Sequence, residues 1–222
     1  MSFYQQLQQQ TQAVRQQMLS APVIARCSQG NITRAMYIAF LTQAWHHVSH
    51  TVPLLMCAGS RLPASHESVR GAIAEYIAEE YGHQEWILND IRHCGGDAEA
   101  VKNGLPGQPI ELMIAYLYHR IERVNPMSIF GMVHVLEGTS VIIATPVAEA
   151  IQKTLNLSDS ATSYLRSHGA LDVEHLQFFA SLMDRVTDPD DQQAIIHTAQ
   201  RVYSLYGEML NQLSGPVYEA AE

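Results

Sequence analysis

The sequence predicts an all-α bundle of about seven to eight helices, and three observations carry that prediction. Apolar residues recur at helical spacing from end to end. No stretch alternates apolar and polar residues for long enough to make a strand. The breaks between periodic segments hold the Gly, Pro and Asp residues that stop or start helices. At 222 residues, with 47% hydrophobic and 16% charged residues, the chain suits one domain over 1–222 that can bury a substantial core. In order, a Gln-rich helix is predicted over about 2–20. A second, over about 32–59, opens near Thr33 and should bend at Pro53, whose ring removes an N–H. A third runs from Ser65 to about Cys94, where Gly95 and Gly96 supply the left-handed cap that other residues resist. The Pro- and Gly-rich stretch 103–109 is a loop. Further helices follow at about 109–123, 126–155, 159–186 and 188–213, with Asn125-Pro126 and the Asp-Pro-Asp stretch at 188–190 as the sharpest breaks.

Charge narrows the function. The net charge of −9 disfavours sequence-independent binding to nucleic acid or anionic lipid and leaves a small molecule as the expected partner. The N-terminus lacks the basic segment and apolar region of a signal peptide, and no apolar run is read as approaching the ~18 residues of a membrane span, so a cytoplasmic location is expected. Cys27, Cys57 and Cys94 contain no Cys-x-x-Cys spacing, which indicates neither a disulfide framework nor a thiolate zinc site.

The chemistry sits on faces that should be core. Tyr164, His168, Asp172, His175, Phe179 and Leu182 follow one another at steps of three and four, so a predicted apolar stripe carries two imidazoles and a carboxylate. The stripe Ile73, Ile77, Glu80, Ile87, Ile91 is interrupted by one carboxylate, and His83 lies three residues past it, the Glu-x-x-His spacing that lets two side chains converge on one point. Glu137 sits among Phe130, Val133, Val141 and Ala144. Burying ionised carboxylates unpaired is costly, so these groups either satisfy one another or surround a cation. Three carboxylates and three imidazoles without thiolate suit iron or manganese better than structural zinc, and six donors suit two metals bridged by a carboxylate, with Glu137 the natural bridge. His46, His47 and His50 form a further cluster that cannot all face one way, so one or two of them at most reach the metals. His134 is a candidate partner one turn from Glu137, whereas His66, His93, His119 and His197 are read as surface residues.

These residues resemble the haem-oxygenase-like di-iron oxidases and oxygenases, a branch of the haem-oxygenase/TenA/PqqC-like helical fold. The resemblance runs through "HHVSHTVPLLM", "EEYGHQEWILNDI", "VLEGTS" and His168-x3-Asp172-x2-His175, and covers nearly the whole chain. It implies an enzyme that holds two ferrous ions, or manganese or a mixed pair, and activates dioxygen to oxidise a small organic substrate. It assigns Glu80, His83 and His168 to one metal and Asp172 and His175 to the other, with Glu137 shared or on the second. Glu80, Glu137 and Asp172 are the carboxylates expected to carry catalysis. Where many members place an early glutamate, this chain offers only His46, His47 or His50. The same fold hosts a TenA-type, metal-free thiaminase, the alternative along with a simple small-molecule-binding protein. That enzyme needs a cysteine in the middle helices, where this chain has none, although Glu208 falls where TenA-like proteins carry a functional glutamate. Tyr81, Tyr164 and Thr139 are expected to orient ligands. A carboxylate-bearing substrate would need an anchor such as Arg34, Arg120 or Arg123. The apolar stripe of "ELMIAYLYHRIER" is read either as a homodimer interface or as a face packed on the core.

Overall fold

The computed structural model describes residues 1–169 and 173–215, without the side chains at 168, 169 and 173–175. Among the described residues all regular structure is helical, with no strand. The helices are α1 (Phe3–Leu19), α2 (Pro22–Ser28), α3 (Arg34–Val48), α4 (Thr51–Arg61), α5 (Glu67–Glu80), α6 (His83–His93), α7 (Ala98–Asn103), α8 (Gln108–Arg123), α9 (Ile129–Leu155), α10 (Ser163–Gly169), α11 (Val173–Asp184) and α12 (Pro189–Gln212).

Their ends follow local chemistry. Ser2 and Gln5 form a reciprocal capping box on α1, and the Thr33 hydroxyl accepts from Met36 N–H at 3.1 Å to open α3. Asp97 accepts from the N–H groups of Glu99 and Ala100, both at 3.0 Å, and starts α7. Gly95 closes α6 at φ +77°, as its sequence position predicts. Two long helices of the sequence reading are each split. The 32–59 segment breaks at Ser49-His50 rather than bending at Pro53, because Pro53 falls in the first turn of α4, where its missing N–H leaves no bond unmade. The 65–94 segment breaks at Tyr81-Gly82, where Gly82 adopts φ +95°. Of the 159–186 segment, the described residues form α10 and α11, and 170–172 between them lie outside the described residues. Both α2 and α7 are short helices that periodicity over a long window cannot register.

The bundle is organised around α9 and α12, which pack on each other. Helix α1 covers α12, α10 lies on α9, α3 pairs with α6, and α4 with α5 and α8. Leu41, Leu55, Ile87, Leu88, Ile110 and Phe130 are fully buried, each contributing roughly 1.5–3 kcal/mol by removal of apolar surface from water. The α8 stripe Ile110, Met113, Leu117, Ile121 faces this core, leaving Leu112 half exposed. By length and composition Pro126–Leu155 is apolar enough to cross a membrane, which corrects the reading that no such run exists. Its central position explains the composition, since 61% of its most apolar window is buried inside the bundle.

Two contacts fix how α9 sits. Gly131 meets α12 so closely that a Cβ there would lie 2.6 Å from the Ile195 carbonyl oxygen and 2.7 Å from the Ala199 nitrogen. His134, one turn on, accepts or donates a hydrogen bond with the Thr11 hydroxyl at 3.2 Å and stacks against Phe179, with Tyr4 and Tyr203 edge-on. Burial, followed by the field of Arg15, pushes the His134 imidazole down to about 4.

Gly131→Ala is expected to destabilise the fold by roughly 2–3 kcal/mol or more, because backbone on the other side must move. Gly71→Ala, on α5 with nothing within 4 Å of its would-be Cβ, should instead stabilise by up to about 1 kcal/mol. Thermal melts of the two variants check both signs.

The folded protein keeps His134 neutral down to about pH 4, whereas a histidine in the unfolded chain protonates near 6.5. The unfolded state therefore binds the extra proton between those values, and stability falls as pH drops through that window, by on the order of 3 kcal/mol. Urea midpoints across this range should fall less steeply in His134→Gln than in the wild type.

Candidate functional site

Between α3, α5, α9, α10 and α12 lies a cavity of about 130 Å³. Its polar end is formed by His47, Tyr76, Glu80, Glu137, Tyr164 and Tyr206, and its apolar arm runs past Val23, Cys27, Ile143, Val147, Ile151 and Leu213. Each polar group is delivered by helix geometry. Glu80 ends α5, four residues after Tyr76, so both project from one face of that helix. Glu137 stands mid-way along α9, with Met132, Val133, Leu136, Ser140 and Ile143 sharing its cavity-facing side.

Glu80 and His83 come together as their spacing predicts, though not on a continuous helix. His83 is the first residue of α6, and the left-handed Gly82 turn brings its Nδ1 to 3.1 Å from Glu80 Oε2. Both side chains are nearly buried, at 13% and 10% exposure, and the His83 ring stacks on Trp86 at 4.1 Å between centroids. That stack fixes the ring plane.

Glu137 is held far above the ordinary carboxylate range, first by burial and then by the Glu80 and Glu79 carboxylates. Tyr76 is pushed up by burial and by Glu137, Glu79, Glu80 and Glu75 in turn. The acids thus repel one another in an apolar enclosure. All 13 Lys and Arg residues of the chain fall among the described residues, and none of them lines the cavity. A cation in this space would reverse the penalty on both carboxylates. Oxygen and imidazole donors suit a divalent ion of the iron or manganese type, so the groups present fit such a metal. Among the described residues no three His, Cys, Asp or Glu side chains close a metal site. His168, Asp172 and His175, the other half of the expected donor set, lie outside the described side chains.

The remaining sequence candidates separate cleanly. His47 lines the cavity, with its ring edge-on to Tyr206 at 5.6 Å, whereas His46 is buried beside Trp45 and does not line it. His50 bonds the Tyr118 hydroxyl at 3.0 Å, also outside the cavity lining. His134 faces α1, α11 and α12 and is absent from the lining, which removes it as a partner of Glu137. Tyr81, expected to orient ligands, is 78% exposed because the Gly82 turn swings it outward, while Tyr164 and Thr139 do line the cavity. Glu208 is exposed on α12. His66 is not a free surface group: its Nε2 lies 2.8 Å from Asp191 Oδ2.

Sequence reasoning missed Tyr76 and Asp90. Tyr76 had a signal, since it lies four residues before Glu80 on the same stripe. Asp90, adjacent to that stripe, is fully buried on α6 and accepts from Ser163 N–H at 3.0 Å, Ser163 Oγ at 2.5 Å and Tyr164 N–H at 2.9 Å. It caps α10 from a neighbouring helix, satisfying N–H groups that have no partner within α10, and so fixes Tyr164 at the cavity and the start of the segment bearing His168. Local spacing carries no trace of a cap that arrives from 73 residues away.

Comparison with known proteins agrees with this architecture. A haem-oxygenase-like protein of unknown function from Shewanella denitrificans superposes with a TM-score of 0.83 at 25% identity, covering 94% of this chain and 90% of that one. A TenA homologue from Pseudomonas syringae gives 0.78 at 11% identity, with 94% and 91% covered. The haem oxygenase of Leptospira interrogans gives 0.77 at 15%, with 96% and 100% covered. The fold is therefore haem-oxygenase-like. No curated protein is a significant sequence match. The family model described as iron-containing redox enzyme matches residues 38–207, which takes in Glu80, His83, Glu137 and the His168–His175 segment, and the chain belongs to that family.

Proposed function

We propose that the protein is a non-haem di-iron oxidase or oxygenase, which holds two ferrous ions at the acidic end of the cavity and uses dioxygen to oxidise a small organic substrate in the apolar arm. The observation that supports this most is the pair Glu80 and Glu137, facing an apolar enclosure that no cationic side chain enters. In this reading Glu80, His83 and His168 would hold one ion and Asp172 and His175 the other, with Glu137 shared or on the second, and His47 would take the early position. Iron held by these residues would supply the redox chemistry for activating dioxygen.

The chain's own contributions follow from its contacts. Glu80 and the Trp86 stack orient the His83 ring, which fixes where its nitrogens point. Asp90 holds the N-terminus of α10 and with it Tyr164. Burial pushes the phenols of Tyr164 and Tyr206 upward, so both keep their protons and can donate hydrogen bonds near the reacting centre. The apolar arm excludes water from the substrate.

A metal-free, thiol-dependent hydrolase fits less well. Cys27 does line the cavity, but burial pushes its thiol up to about 11, the reverse of what a nucleophilic cysteine requires.

Anaerobic titration with ferrous iron, followed by elemental analysis and optical spectra, is expected to saturate near two equivalents. Glu137→Ala and His168→Ala should each lower the stoichiometry, or weaken binding tenfold or more. Indifference of the wild-type protein to iron removes the oxidase reading.

A further inference from the structure

Two hydroxyl groups that line the cavity are satisfied within the protein. Tyr37 donates to the Ala161 carbonyl at 3.0 Å, and Ser140 donates to the Glu137 carbonyl at 2.9 Å. Tyr76 differs. It is only 2% exposed and lines the same space, yet its phenol oxygen has no hydrogen-bond partner among the described residues. A buried hydroxyl bears the full cost of leaving water unless an acceptor meets it, and a phenylalanine would fill the ring's volume without that cost.

The phenol is also held in place. Val69, Ala72, Ile73 and Tyr76 form one buried face of α5, and Phe178 of α11 packs against the Tyr76 ring at 5.9 Å between centroids, tilted by 58°. The oxygen therefore stands at a fixed point on the cavity wall, so a ligand that meets it gains a bond without ordering a loose side chain. A phenol keeps its proton near neutral pH, and burial strengthens that hold, which makes Tyr76 a donor.

The rest of the lining decides what it donates to. No lysine or arginine lines the cavity, so an ionised carboxylate on a ligand would exchange water for largely apolar walls and one neutral hydroxyl. A carbonyl or ether oxygen loses far less on the same transfer, and a single O–H···O bond answers its need for a partner. In size, about 130 Å³ is close to the ~150 Å³ of an engineered apolar cavity that admits benzene, so the body of the ligand is about one ring.

We propose that Tyr76 is a specificity-determining residue, whose phenol O–H donates to a neutral carbonyl or ether oxygen on a substrate with a ring-sized apolar body, and that the cavity takes such a molecule in preference to the corresponding acid. This substrate class deepens the oxidase reading and rests on it only for the oxidation itself.

The test is isothermal titration of acetophenone, cumene and benzoate, which share one shape: cumene lacks the oxygen acceptor and benzoate carries a charge. Wild type and Tyr76→Phe are compared metal-free and after anaerobic loading with ferrous iron. The variant is expected to bind acetophenone about threefold to tenfold more weakly in both forms, with cumene changed by less than about twofold. In metal-free protein, where iron cannot ligate it, benzoate is expected to bind about tenfold or more weaker than acetophenone. An acetophenone affinity that the variant leaves unchanged overturns the inference, and so does an equal loss of acetophenone and cumene, which a merely structural role of Tyr76 would produce. Benzoate as tight as acetophenone in metal-free protein, or no binding of acetophenone at all, also overturns it. A protein that holds acetophenone through Tyr76 but takes up no iron keeps this inference and loses the metal reading. One that takes up iron and is indifferent to Tyr76→Phe does the opposite.

Discussion

The structure turns on one electrostatic constraint: two carboxylates, Glu80 and Glu137, face an apolar cavity into which no lysine or arginine reaches. Removing one ionised carboxylate from water costs several kcal/mol even after relaxation, and placing a second beside it adds repulsion. The Glu137 carboxyl accordingly stays protonated far above its ordinary range when the enclosure holds no cation. A leucine or methionine of similar volume would pack the same space at no such cost. Retention of acids there is intelligible if the cavity receives positive charge, which links the energetics of the fold to the chemistry of the family.

The rest of the molecule holds that arrangement in place. Helices α9 and α12 approach at Gly131 to a distance that only a missing side chain permits, and this sets where Glu137 stands. The left-handed Gly82 turn ends α5 and restarts the chain as α6, which brings His83 back onto Glu80. Asp90, on the same helix as His83, caps α10 and so ties the imidazole end of α6 to the segment that carries Tyr164 and His168. A displacement of α6 is transmitted to both of its ends, because a helix of eleven residues behaves as a rigid rod.

Much of this was legible in the sequence. Helical periodicity revealed the all-α class, and spacing revealed the Glu80–His83 pair; Glu80 and Glu137 line one cavity, whereas His83 stands behind Glu80 and is not part of the lining. What escaped has specific causes. The breaks at Ser49-His50 and Tyr81-Gly82 occur within unbroken apolar periodicity, and a lone glycine in a helical pattern does not announce the sign of its φ. A cluster such as His46, His47 and His50 fixes that the three point differently, but only packing decides that His47 faces inward. Asp90 reads as an ordinary polar residue until the N-terminus of α10, distant in sequence, is seen to rest on it. The apolar length of α9 resembles a membrane span for the same reason that makes it central, since both environments remove the helix from water.

The most direct measurement of the central claim is anomalous diffraction at the iron absorption edge from crystals grown anaerobically with ferrous iron. The account predicts anomalous peaks at the polar end of the cavity, in contact with the carboxylates of Glu80 and Glu137. Iron found only on surface histidines, with those two carboxylates unchanged and the cavity without a peak, would contradict it.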